Sequence, residues 1–329
     1  FTTLYTIMAI PFGSMTAAMT QDMNERTSLA SFRYIGGSSG SVVVAALTLP
    51  LVSLFASPQL GFPIVVACFA LLGAIFCFLC FFNTKEIYSK VYEKRISFNK
   101  ILNMLANNFA LQFIIVALLG TWIANNVKQV TVIYFIKYNL QLEPYFGLIL
   151  LGVILQIMLG ALATNLIKNI FEKKIIFIIG TSLYVVTDLI IYFITGYENF
   201  WLFAFVGSFG FIGFGMAGVA TWSMLADSVE FGEWKSGFRS EGIINSSFVC
   251  IFKLSIGFSG WLAGIILEST NYQPNEIIQN SETLEGLFIM GYIFPAVAGT
   301  IAMLIMAFHR YDSNFYDTVF SSLRSERKS

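Results

Sequence analysis

Nine apolar runs, each near the roughly 20 residues that a bilayer's hydrocarbon core demands, constrain this chain more than anything else in it. They occupy about 1–20, 33–55, 62–82, 109–137, 147–168, 175–195, 201–227, 243–267 and 287–309. A backbone in lipid must satisfy its own hydrogen bonds, so each run reads as a spanning helix and the fold class is all-α integral membrane. Composition agrees: 57% of residues are hydrophobic, 12% are charged and the mean hydropathy is +0.74. A water-soluble fold of this length needs far more polar surface. The formal net charge is +0 and no basic stripe is present, which argues against a nucleic-acid partner. Cys68, Cys77, Cys80 and Cys250 fall inside apolar runs without metal-ligand spacing and read as small buried hydrophobes.

The connecting segments alternate in basic content. Segments 21–33, 83–108, 168–174 and 228–242, with the tail 310–329, hold every Lys and Arg except Lys128, Lys137 and Lys253. Segments 56–61, 196–200 and 268–286 hold none. The positive-inside rule places the first set and the C-terminus in the cytoplasm, in a cell inner or plasma membrane. With the C-terminus inside, nine spans leave Phe1 outside, and Phe1 enters an apolar helix with no initiator Met or polar lead. The longest basic segment divides the spans into three and six. Major facilitator carriers consist of two six-helix halves. The expectation is a major facilitator superfamily bundle that starts at helix 4, with nine of twelve transmembrane helices present. Residues 1–82 are then the rest of the N-terminal half, 83–108 a cytoplasmic middle loop, 109–309 the C-terminal half and 310–329 a tail.

That numbering predicts that helices 4–5 echo helices 10–11. Thr20-Gln21-Asp22, Glu25-Arg26 and Arg33 close the first run and open the second; Ala226-Asp227, Glu230 and Arg239 do the same at the seventh and eighth. Gly36, Gly37 and Gly40 come after the first set and Gly257, Gly260 and Gly264 after the second. Glycines of this kind let helix backbones approach closely in lipid. The dense charge of Ala226–Gly242 predicts a water-facing hinge.

These residues resemble the glycoside–pentoside–hexuronide:cation symporters, the melibiose-permease-like major facilitators. Thr20–Arg33 is similar to that family's loop after helix 4, and Ala226–Gly242 to its loop after helix 10. Ala124-Asn125-Asn126 with Tyr134-Phe135-Ile136-Lys137-Tyr138 is similar to its helix 7. The resemblance implies alternating-access symport of a sugar with Na⁺ or H⁺, no other cofactor, and a carrier working as a monomer in the lipid bilayer. It makes Asp22, Glu25, Arg26, Arg33, Asp227, Glu230 and Arg239 a cytoplasmic gate. Exposed pairs there contribute only about 0–1 kcal/mol each, which suits a reversible latch. It also implies that Lys253 lines the sugar and cation cavity, and that the cation-binding acids lie upstream of Phe1. One departure is plain: that branch has an aspartate where this chain has Ala9, and a sugar-holding tryptophan where it has Gly13.

Inside the membrane the ionisable residues are Lys128, Asp188 and Lys253, each expected to face a polar cavity or a partner. Lys128 shares a helix with Asn125, Asn126 and Gln129, whose amides can bond either a polyol or a neighbouring helix. Thr221, Trp222 and Asn245 complete the candidate solute-binding set, and Trp122 or Tyr134 can stack on a sugar face. Asp188 reads as a helix-packing residue and His309 as interfacial. Phe98, Ile101, Leu102 and Leu105 have the spacing of an amphipathic surface helix. Two alternatives stay open: a carrier of a lipid-like or other amphiphilic solute, and an integral-membrane prenyl or lipid transferase with Asp22, Asp227 and Glu230 around Mg²⁺. The second suffers from Arg26 and Arg239 beside those acids.

Overall fold

The computed structural model describes the chain except residues 1, 21, 86, 88–97, 238–240, 275, 277, 310–314, 317, 320 and 324–329. Helices α1 (Thr2–Met19), α2 (Met23–Val52) and α3 (Pro58–Asn83) precede a short α4 (Phe98–Asn107). Then come α5 (Phe109–Tyr134), α6 (Phe146–Ile167), α7 (Lys173–Ile190), α8 (Phe200–Ser236) and α9 (Glu241–Ser269). Helices α10 (Ser281–Phe288) and α11 (Phe294–Ala307) join through a π-helical turn, Ile289–Ile293, into one span. Among the described residues eight helices are long and apolar enough to cross a membrane, and Thr6–Met19 adds a shorter apolar one. Each expected run therefore has its helix.

Two boundaries differ from expectation, for one reason. The charged segments after the first and seventh runs are helical: α2 opens at Met23 and α8 continues to Ser236. Glu, Lys and Arg are good helix formers, so hydropathy marks where lipid ends and not where the helix ends. The first part of the expected water-facing hinge is instead a buried stretch of α8, with Asp227, Glu230 and Glu233 all enclosed, while Trp234, Lys235 and Ser236 at its end are exposed.

Helix α8 forms the spine. It packs against α6 and α7 through facing glycines: a Cβ on Gly160 or Gly215 would meet a backbone carbonyl of the opposing helix at 2.1 or 2.2 Å. Gly180 and Gly213 make the same close approach between α7 and α8. The expected contacts at Gly36, Gly37, Gly40, Gly257, Gly260 and Gly264 are absent, with nothing within 4 Å of a Cβ built at any of them. Close packing follows from which face a glycine presents, and clustering in sequence does not report the face. Helix α5 packs on α9 and α11, while α1 rests on α9 and α2 on α6 and α8. Outer faces carry exposed Phe, Leu and Ile, most densely on α3, as a lipid-facing surface requires. Cys68, Cys77 and Cys250 are exposed on that perimeter, contrary to their reading as buried.

Candidate functional site

At one end of the bundle the turn between α1 and α2 meets α8. Asp22 caps α2, its Oδ1 accepting the backbone N–H groups of Asn24 and Glu25, both at 2.8 Å. Thr20 donates its hydroxyl to the Glu25 carboxylate. Both acids are exposed, and in this structure they serve the local cap. Arg26, one turn on, points inward and is 0% exposed. Its Nε and Nη2 donate to the Thr20 carbonyl at 3.0 and 2.9 Å, and its Nη1 to the Ala226 carbonyl at 3.2 Å. Nη1 also reaches Asp227 Oδ1 at 3.0 Å and Glu230 Oε2 at 2.6 Å, and Nη2 bonds Glu230 Oε1.

Asp227 is shared, its second oxygen accepting from Lys173 of α7 at 2.5 Å. Among the described residues two cations and two acids thus meet in a buried joint between α2, α7 and α8. Next to it Thr27 bonds Ser223 at 2.9 Å. The expectation of weak, exposed pairs fails here. The guanidinium's fork geometry and five donors let it satisfy two carboxylates and two carbonyls out of water. Arg239 lies outside the described residues.

Arg33 also reaches aromatic rings. Two turns along α2, its guanidinium lies 4.0 Å from the Trp222 ring centroid and 4.8 Å from that of Phe12. Trp222 in turn packs on Phe248 with centroids 4.1 Å apart. This stack is continuous with a polar seam between α1 and α9. Asn245 donates to the Ile10 carbonyl at 2.9 Å and Lys253 to the Thr6 hydroxyl. A Cβ on Gly13 would lie 2.3 Å from the Asn245 amide, so Asn245 fills the space that a side chain at Gly13 would take. Asn126 bonds Ser255 across α5 and α9 at 2.9 Å, and Asn125 is buried beside it. Thr221 returns its hydroxyl to the Ala217 carbonyl and borders, with Trp122, Trp222 and Tyr34, a void of about 10 Å³.

Lys128 stands apart from this set. It forms an ion pair with Asp188 of α7 and is ringed by Tyr184, Phe211 and Tyr292. Asp188 is therefore more than a packing residue, and the pairing was missed because its halves lie on separate helices. The available signal was two lone, opposite charges in apolar runs. His309, just past the end of α11, is 3% exposed and stacks edge-on to Phe113. Helix α4 carries the expected amphipathic segment, and it buries Met104 in the main core. Among the described residues no group of three or more His, Cys, Asp or Glu is placed to hold a metal. Arg26 and Lys173 engage Asp227 and Glu230, two of the three acids of the transferase alternative.

Residues 1–313 match the family described as MFS/sugar transport protein. Over 309 residues the chain is 32% identical to the "Uncharacterized symporter YjmB" of Bacillus subtilis strain 168, covering 92% of this chain and 66% of that protein. It is 31% identical over 309 residues to a protein of Escherichia coli K12 named as a sulfoquinovose importer, covering 92% and 65%. The chain spans just under two thirds of the length of these relatives. The crystal structure of a major facilitator superfamily transporter, FucP, in the outward conformation aligns with a TM-score of 0.63 at 14% identity. That alignment covers 92% of this chain and 72% of FucP, a likeness of fold.

Proposed function

The chain belongs to the MFS/sugar transport family, of the glycoside–pentoside–hexuronide symporter type, and from that premise we propose that it serves sugar uptake by alternating access, coupled to Na⁺ or H⁺. The observation that carries the reading is the joint of Arg26 with Asp227 and Glu230, which ties α2 to α8 at one end of the bundle. A carrier must close one end while the other admits solute, and a buried charge cluster at a single end is a means to that. We place the joint and the C-terminus on the cytoplasmic side, with residues 1–82 and 109–309 moving as two bodies in a monomer.

The solute site in this reading lies between α1, α2, α5, α8 and α9. Lys253 and Asn245 offer donors to sugar hydroxyls and Trp222 an aromatic face, with Arg33 added from its position on that face. Lys128 is left out of this set, because it pairs with Asp188 of α7 away from these residues. Uptake of radiolabelled glycosides, pentosides and uronides into vesicles tests this, with and without a Na⁺ or pH gradient. Gradient-dependent accumulation that Lys253→Ala abolishes, with the helical content retained, is the expected result. No uptake of any of these sugars under either gradient overturns it.

A further inference from the structure

A cavity of about 560 Å³ lies within the α5–α11 part of the molecule and opens between α6 and α8, at the end opposite the joint. Its volume falls in the range that encloses drug-sized molecules. The walls are aromatic and aliphatic, with Val153, Phe203 and Phe211 inside and Leu148 and Trp201 at the mouth. Leu148 is 67% and Trp201 81% exposed, so the mouth is an apolar surface on membrane-spanning helices. Ile191 and Tyr292 reach the wall from π-helical turns, irregularities that frequently mark functional sites.

The polar groups on the wall are few. Lys128 has three N–H donors, and among the described residues its one hydrogen bond goes to Asp188, which is not part of the wall. Gln156 donates to Ser208 at 2.9 Å, and its carbonyl oxygen takes part in no hydrogen bond among the described residues. Spare donors and an acceptor therefore border an otherwise apolar chamber. The Lys128–Asp188 pair is neutral as a unit. An anionic head on Lys128 would meet the Asp188 carboxylate, and a cationic head would meet Lys128 itself. An uncharged head rich in hydroxyl and ether oxygens meets neither penalty.

We propose that this cavity binds a single-chain amphiphile with an uncharged polyhydroxyl head, its head on Lys128 and Gln156 and its chain leaving past Leu148 and Trp201 into the bilayer. The site is separate from the solute site proposed above. An alkyl glycoside and a monoacylglycerol share the required head chemistry.

The test uses the protein in lipid nanodiscs and an octyl β-D-glucoside carrying a photoreactive diazirine on its chain, with labelled peptides mapped by mass spectrometry. Labelling is expected on the α6 and α8 segments around Leu148 and Trp201. Excess octyl β-D-glucoside or 1-octanoylglycerol should compete it at least tenfold, and the more effective of the two identifies the head. A Cβ on Gly152, on the cavity wall, meets nothing within 4 Å. Gly152→Phe should therefore fill the chamber without backbone movement and cut labelling at least tenfold, whereas Gly152→Ala should leave it. Labelling that persists in Gly152→Phe, or that neither competitor reduces, is partition into lipid and overturns the proposal. Equal competition by octanoate overturns the choice of head. Competition by free sugar assigns the probe to the solute site and also overturns it. Lys253→Ala should keep the labelling whatever its effect on uptake, so either reading can fail alone.

Discussion

Arg26 shows how one buried side chain sets the energetics of the joint. Forming a buried ion pair gains little net free energy, because desolvation offsets most of the Coulombic attraction. Removing one member leaves the others charged and out of water, at a cost of about 3–5 kcal/mol. Arg26→Ala should thus lower the thermal unfolding midpoint sharply, and Arg26→Lys should recover only part of it, since an ammonium lacks the two-pronged geometry that Glu230 receives. An unchanged midpoint in Arg26→Ala would show that Arg26 does not hold the joint together. Gly13 gives a second test at this scale. Gly13→Ala places a methyl 2.3 Å from the Asn245 amide and should break its bond to Ile10, at a cost of about 1–3 kcal/mol. Asn245→Ala should relieve much of that loss in the double variant, a non-additivity that unfolding measurements on the four proteins would detect. The sequence names both Asn245 and Gly13, yet their contact joins residues far apart in the chain and no local pattern encodes it.

For whole elements, hydropathy was a good guide to the number and order of spans and a poor guide to their ends and contacts. The apolar runs were legible because bilayer thickness imposes a length on each. The starts of α2 and α8's final turns were not, since a charged helix and a charged loop share a composition. The glycines make the same point about packing. Gly160 and Gly215 sit where α6 and α8 touch, whereas Gly257 and Gly260 on α9 face open space. Gly160→Ala should push α6 from α8 and destabilise by about 1–3 kcal/mol, as overpacking does. Gly257→Ala should be neutral or stabilising by up to about 1 kcal/mol through helix propensity. Thermal unfolding of the two variants side by side checks the assignment, and equal losses at both positions would contradict it.

Across the whole molecule, the marginal net worth of a buried charge cluster is what makes it usable in a cycle. A joint with a large net stability would hold one end shut permanently, while alternating access needs its states within a few kcal/mol. When the joint in the proposed cycle opens, Arg26, Asp227, Glu230 and Lys173 regain water, so hydration offsets the lost pairing. Arg26→Gln removes that balance from one side: the closed state loses the guanidinium that bonds both Asp227 and Glu230, and the open state hydrates the two acids. The population should therefore shift toward opening at the charged end. Ser223 reports on this, being fully buried next to the joint and bonded to Thr27. In a background with Cys68, Cys77, Cys80 and Cys250 replaced by alanine, Ser223→Cys should react slowly with a membrane-impermeant maleimide added at the charged end. Adding Arg26→Gln should raise the rate at least tenfold, which corresponds to a shift of only about 1.4 kcal/mol in the opening equilibrium. Equal rates with and without Arg26 would show that the joint does not control access, and would leave it a structural clasp between α2 and α8.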